Sequence, residues 1–198
     1  YRSDAAADET GEISFIMPQN NYRLISDPRR LIEEAKRIDP RIESGLSRLM
    51  VGALLSFKDT TMDGVLIGID ASARASTYPA LSVVEGRHFE PGEKGVLINR
   101  GVARKLRIGP GDDLVALGTT SDGRLNGTKL RVTGIYTIKG LEAYEWGSCY
   151  ADLEGVQEIL DVPEQAGVVV LRLKDSGRDA DSVRDRLNAA FQAKGANA

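Results

Sequence analysis

The chain has 198 residues, 41% of them hydrophobic and 28% charged, a composition that suits one folded domain or two small ones sharing a boundary. A formal net charge of −3 and an aromatic content of 6% argue against general affinity for nucleic acid or an anionic membrane surface, and against stacking platforms for single strands. The single cysteine, Cys149, excludes an intrachain disulfide, and no apolar run is long enough to cross a bilayer.

The opening stretch, YRSDAAADETGE, is polar and lacks an initiating Met. It reads as part of a longer protein, although a removed signal peptide would leave the same trace. Glu12 to Met17 alternates Ile13, Phe15 and Met17, a short strand. Asp27-Pro28 opens a helix, with an Asp cap followed by Pro where no N–H is needed. Leu31, Ile32, Ala35 and Ile38 form its apolar stripe, and Asp39-Pro40 ends it. Leu49, Val51, Ala53, Leu55 and Phe57 alternate along a strand over 48–57. A polar turn is expected over Lys58 to Gly64, then a nearly continuous apolar strand over Val65 to Ile69.

From Asp70 to Tyr150 the chain is rich in glycine, turns and strands. Val96-Leu97-Ile98 predicts a buried strand, followed by a helix that Asn99 caps and that buries Val102, Ala103 and Leu106. Pro110-Gly111 turns the chain into a strand over 114–117. Asp122-Gly123 and Asn126-Gly127 are hairpin-turn dipeptides ahead of a strand over 130–136. Asp152 then caps a helix with Leu153, Val156, Ile159 and Leu160 inward, stopped near Pro163. Val168 to Leu173 predicts a buried strand. A last helix carries Val183, Leu187, Ala190 and Phe191 on one face.

The outer elements follow a β-α-β-β-α-β order with a C-terminal helix, which predicts an α+β fold. A ferredoxin-like, porter-type subdomain over 1–70 and 151–198 would be interrupted by a smaller, barrel-like β-rich subdomain over 71–150.

The residues offer little catalytic chemistry. His88 is the only histidine, so any triad must use it, and it sits in GRHFEPGE among turn residues. Zinc would need several Cys and His ligands at fixed spacing. Gly109-Pro110-Gly111 precedes a strand and cannot act as a phosphate loop at a helix N-terminus. Asp112-Asp113 and Glu142/Glu145 lack the ligand spacing of a calcium loop, and Cys149 reads as a packed small hydrophobe. The expectation is no catalytic residue, no metal and no cofactor.

Two stretches carry a family resemblance: GRHFEPGEKGVLINRGVARKLRIGPGDDLVAL and LRVTGIYTIKGLEAYEWGSCYADLEGVQEIL. Through Gly86, Gly95, Val96, Ala103, Leu106, Gly111, Asp112, Gly134, Ile135, Tyr136, Leu153, Glu154 and Gln157 the chain resembles the extracytoplasmic core domain of MacB/FtsX-like ABC-transporter permeases. Tyr144 and the Leu-Glu-Gly-Val-Gln helix start look most like the lipoprotein-releasing LolC/LolE branch. The resemblance implies a periplasmic domain of an inner-membrane protein, set between transmembrane helices that lie outside this sequence. It implies a homo- or heterodimeric permease partner, a separate cytoplasmic ATPase, and a periplasmic chaperone or adaptor with lipoprotein cargo. Efflux of drugs or peptides, and a free-standing periplasmic binding module, are the alternatives. A small hydrolase using His88 is a third class.

In the lipoprotein-releasing branch a hairpin engages the chaperone. The segment in that place, Gly118 to Thr128, is polar and turn-forming, as a plain hairpin loop would be, with only Arg124 and Leu125 as possible anchors. The other candidate contact is Leu141 to Trp146. Tyr144 and Trp146 there would suit an interface core, and equally the closure of the β-rich subdomain.

Overall fold

The structure, a computed structural model, describes residues 24–70, 81–138, 147–174 and 179–195. The fold is α+β, with eight strands in one hydrogen-bonded sheet and, among the described residues, four helices. In chain order these are α1 (Pro28–Ile38), β1 (Ile42–Phe57), β2 (Thr60–Ile69), β3 (Leu81–Gly86), β4 (Gly95–Asn99), α2 (Arg100–Leu106), β5 (Asp113–Thr119), β6 (Leu125–Ile138), β7 (Ser148–Asp152), α3 (Leu153–Leu160), β8 (Val168–Leu173) and α4 (Ala180–Gly195). The expected strand over Glu12–Met17 lies outside the described residues.

Contacts divide the described residues into two units, one of 24–28 with Leu46–Val170, the other of Arg29–Gly45 with 171–195. In the larger unit, pairings β1–β2, β2–β7, β7–β4, β4–β6, β6–β5 and β5–β1 close a ring of six strands, a small barrel. The ring takes β1 and β2 from before residue 71, so its closure joins strands far apart in sequence. β2–β7 and β4–β6 run parallel and the other pairings antiparallel. β3 adds to β6 outside the ring.

One face of the ring builds the main core. Leu49, Val51, Ala53 and Leu55 of β1 are buried at every second position, as the strand period requires. They cluster with Leu66, Val96, Ile98, Leu114, Leu130 and Cys149 from the other five strands, and with Val102, Leu106, Val156 and Ile159 of α2 and α3. Each fully buried Leu or Ile contributes roughly 1.5–3 kcal/mol of transfer free energy. A second cluster on the opposite face holds Phe89, Leu97, Tyr136 and Tyr150. The two tyrosine rings meet edge-on at 5.1 Å, and Tyr136 Oη donates to the Ser148 carbonyl at 3.0 Å.

The smaller unit packs Ala35 of α1, Ile42 of β1 and Val183 of α4 with Leu171, Leu173 and Leu187. A Cβ at Gly45 would lie 2.6 Å from Ile32 Cγ2, so α1 sits directly on the strand there. The described α4 side chains at Val183, Leu187, Ala190 and Phe191 are its less exposed positions, the expected face.

Caps follow the local chemistry. The Asn99 side chain accepts from the Val102 N–H at 2.8 Å, and Arg107 closes α2 in the left-handed conformation. Asp152 accepts from the Glu154 N–H at 3.2 Å at the start of α3. Burial first, then the charge of Glu154, pushes the Asp152 carboxyl up to about 6, against the downward pull of the Glu154 and Gly155 N–H groups. A folded value above the unfolded value of about 3.9 means stability falls as pH rises between the two. Asp152→Asn keeps the cap acceptor and removes the charge. It is expected to gain on the order of 1–2 kcal/mol at pH 7 and almost nothing near pH 4, read from urea midpoints.

Three expectations are corrected. The turn after β1 is only Lys58-Asp59, with Thr60–Gly64 paired inside β2, because Lys58 takes φ 51° and turns the chain at once. Asn126-Gly127 is not a turn but lies within β6, opposite Gly118 and Leu117. Gly127 serves close approach instead: a Cβ there would be 2.5 Å from Leu117 Cδ2 and 2.8 Å from the Ala116 carbonyl. β8 is half-exposed along its length and not buried, since it stands at the end of the strand order.

Candidate interaction site

The β5–β6 hairpin contains two of the residues singled out in the sequence. Its connection is short, Thr120–Arg124, because both strands extend further than their apolar runs. Thr120 organises the tip: its Oγ1 donates to Asp122 Oδ1 and accepts from the Arg124 N–H at 2.9 Å. Its own N–H donates to the Arg124 carbonyl at 2.8 Å, while Gly123 supplies φ 88°.

The tip is fastened to the C-terminal end of α3. Ser121 N–H donates to the Leu160 carbonyl at 3.1 Å, and Asn126 Nδ2 donates to the Glu158 carbonyl at 2.8 Å. The Leu160 carbonyl is one that a helix end leaves without an intrahelical donor, and the Glu158 carbonyl accepts from Asn126 in addition to the Asp161 N–H. Arg124 Nε reaches Asp122 Oδ2 at 2.8 Å, and its Nη2 reaches Asp161 Oδ2 at 3.0 Å. Thr120 first, then Arg124, holds the Asp122 carboxyl below its ordinary value. With exposures of 58–68% across the three side chains, the ion pairs set geometry more than stability. Below the tip, Glu158 Oε2 accepts from both Lys94 Nζ at 2.7 Å and Thr128 Oγ1 at 3.0 Å.

Leu125 stands free of this framework at 77% exposure. It is opposite Thr119, on the same sheet face as Leu117, and Leu117 is opposite Leu54 of β1. Val65 of β2 continues that face opposite Gly52. Leu54 and Val65 are also exposed, so the outer wall of the barrel presents aliphatic side chains between paired strands. The sequence reading missed Leu54 and Val65, although the period-two alternation of β1 already placed Leu54 away from the buried odd positions. Tyr144 and Trp146 lie outside the described residues.

The loop that carries His88 is held by an Arg87–Glu93 fork with both N···O distances 2.8 Å, and by the wholly buried Phe89. His88 is half-buried, and its carbonyl accepts from Arg87 Nη1 at 2.9 Å. Cys149 is buried, and desolvation pushes its thiol up to about 12, which suits a packed group and not a nucleophile. Among the described residues no three of His, Cys, Asp and Glu gather as metal ligands, and no helix is long and apolar enough to cross a membrane.

The fold is shared with solved extracytoplasmic domains. The extracellular domain of the noncanonic ABC-type transporter YknZ from Gram-positive bacteria superposes with a TM-score of 0.60 at 17% identity, covering 84% of this chain and 80% of that one. The periplasmic region of MacB from Actinobacillus actinomycetemcomitans gives a TM-score of 0.60 at 11% identity, with 82% and 73% covered. A domain of a putative permease protein from Porphyromonas gingivalis gives 0.55 at 10% identity, with 87% and 78% covered. No curated protein sequence matches the chain. The family model described as MacB-like periplasmic core domain matches residues 3–190, and the chain belongs to that family. It is thus the extracytoplasmic domain of a MacB-like ABC-transporter permease, a class of domain that is not catalytic.

Proposed function

We propose that this domain is a mechanical module. Closure of a separate cytoplasmic ATPase, passed on by transmembrane helices, moves paired extracytoplasmic domains against one another and expels cargo. The family match over residues 3–190 carries the reading. The closed barrel with its packed main core supports it, because a lever must move as a body between two arrangements. Leu125, with Leu54 and Val65, is the proposed contact, an aliphatic patch free to meet another protein.

The test uses the full permease with its ATPase in proteoliposomes. The buried Cys149 stays unlabelled, so Leu125→Cys places one spin label on this domain once any reactive cysteines elsewhere in the permease and its ATPase are replaced by serine. The expected result is a distance between the paired domains that changes when ATP binds. An unchanged distance across ATP-free, ATP-bound and post-hydrolysis states overturns the mechanical reading.

For cargo, we propose lipoprotein release, supported by the Leu153-Glu154-Gly155-Val156-Gln157 helix start. The MacB-like description of the family favours expulsion of a drug or peptide as the second reading. ATP-dependent departure of an acylated lipoprotein from the vesicles decides for the first. Its retention, with peptide or drug expelled, decides for the second.

A further inference from the structure

We propose that the exposed side of α2 is a docking surface for a carboxylate-rich segment of a partner protein. Arg100, Arg104, Lys105 and Arg107 fall within eight residues, and all four are exposed. Their side chains make no hydrogen bond or ion pair with any described residue. Several cations elsewhere lie against carboxylates: Arg41 on Asp39, Arg87 on Glu93, Lys94 on Glu158, Arg124 on Asp161 and Arg131 on Asp113, while Arg29, Arg37 and Lys174, which do not, are spread along the chain. Asp112, the nearest acid in sequence, accepts from the Gly109 N–H at 3.0 Å within its own turn.

Helix stability accounts for part of this cluster. Arg104, Lys105 and Arg107 sit at the C-terminal end, where the helix dipole favours a positive charge. Arg100 does not fit that account, because it is the first helical residue, where a cation is disfavoured. Arg100 and Arg104 also form a like-charge i,i+4 pair, which destabilises an isolated helix. The chain therefore carries a small electrostatic cost at Arg100 that no hydrogen bond or ion pair to a described residue offsets.

The chemistry of the surface selects the partner. Three of the four groups are guanidiniums, whose planar forks match carboxylates. A membrane-bound helix would also need an apolar face to insert. Here the large apolar side chains of α2, Val102 and Leu106, are turned into the core at 0% and 2% exposure. The exposed flank beyond the helix is Pro110 and Gly111, with no bulky anchor. The four charges span about 10 Å along the helix, a length that a partner segment with carboxylates on successive turns would match. The proposal does not rest on the transport reading, since a domain with no part in transport would still bind.

The test is fluorescence anisotropy with the 198-residue chain and a labelled synthetic helix bearing Glu at i, i+4 and i+7, beside a matched Gln peptide. Binding to the Glu peptide alone is expected, weakening from about 20 to about 200 mM salt. R100Q/R104Q/R107Q should reduce affinity at least about tenfold, while R29Q/R37Q/K174Q, with the same loss of charge, should leave it unchanged. Circular dichroism checks that both variants fold. Absence of peptide binding, or equal losses in the two triple variants, overturns the proposal. So does binding only to vesicles containing about 30% phosphatidylglycerol, which would make the partner a lipid surface.

Discussion

Gly134→Ala should lower the stability of this domain by about 2–4 kcal/mol, seen as a fall of roughly 5–15 °C in the thermal midpoint. Gly134 stands opposite Gly86 where β3 joins β6. A Cβ on Gly134 would lie 2.7 Å from the Arg87 carbonyl oxygen and 2.8 Å from that of Glu85. Both are backbone atoms, so relief requires moving β3 off the barrel wall. From the other side, a Cβ on Gly86 would meet the Thr133 carbonyl at 2.2 Å, and Gly86 has φ 74°. Gly52→Ala is the control, since a Cβ there meets nothing within 4 Å. A Gly134→Ala midpoint within about 2 °C of the Gly52→Ala midpoint would show that the strands yield cheaply.

Asp39→Ala should be the most damaging polar substitution in the smaller unit. Asp39 is wholly buried between the end of α1 and the start of β1. Arg41 grips it through Nε to Oδ1 at 2.9 Å and Nη2 to Oδ2 at 2.7 Å, and the Arg41 N–H adds a third bond at 3.0 Å. Arg186 of α4 approaches Oδ2 at 3.5 Å and donates to the Ile38 carbonyl at 3.1 Å. The carboxylate thus joins α1, β1 and α4, and without it Arg186 loses its ion-pair partner while Arg41 keeps only Asp179 as one, at 3.3 Å. The expected readout is a thermal midpoint lower by roughly 5 °C or more, with faster amide exchange in α1 and α4. Exchange that accelerates only in the barrel strands would contradict this assignment.

The same carboxylate sets an acid response. The Arg41 fork holds Asp39 far below the usual carboxylate range, with burial opposing and the Arg41 N–H and Arg186 assisting. Because the folded value is depressed, its stabilisation is complete above the unfolded value of about 4 and is lost as pH falls from there toward the folded value. Asp39→Asn should flatten that part of the profile. Asp152 acts in the opposite sense at a higher pH, so the two substitutions separate the two limbs.

Much of the architecture is legible in local chemistry. Pro28 at the first turn of α1, Asn99 before α2 and Asp152 before α3 place three helix starts, because a cap acts within three residues of chain. The odd-numbered burial of β1 and the Val183–Phe191 face of α4 follow from strand and helix periods. The interaction site is less legible. Asn126-Gly127 has the dipeptide of a hairpin turn, yet its conformation is decided by pairing with Gly118 and Leu117. Leu125 and Arg124 adjoin in sequence and both are exposed, yet Arg124 is tied to Asp122 and Asp161.

The sequence by itself determined the α+β class, the family, and the helices whose signals lie within a few residues of their ends. It also determined which side of β1 would be apolar, since a period of two needs no partner to be read. Only the tertiary structure decided that β1 pairs with both β2 and β5 and so closes a barrel, and that the β5–β6 tip is bound to the end of α3. It alone decided which cations are left on α2 without a carboxylate. Pairings between distant strands depend on which surfaces meet after loop closure, and no local propensity encodes that choice.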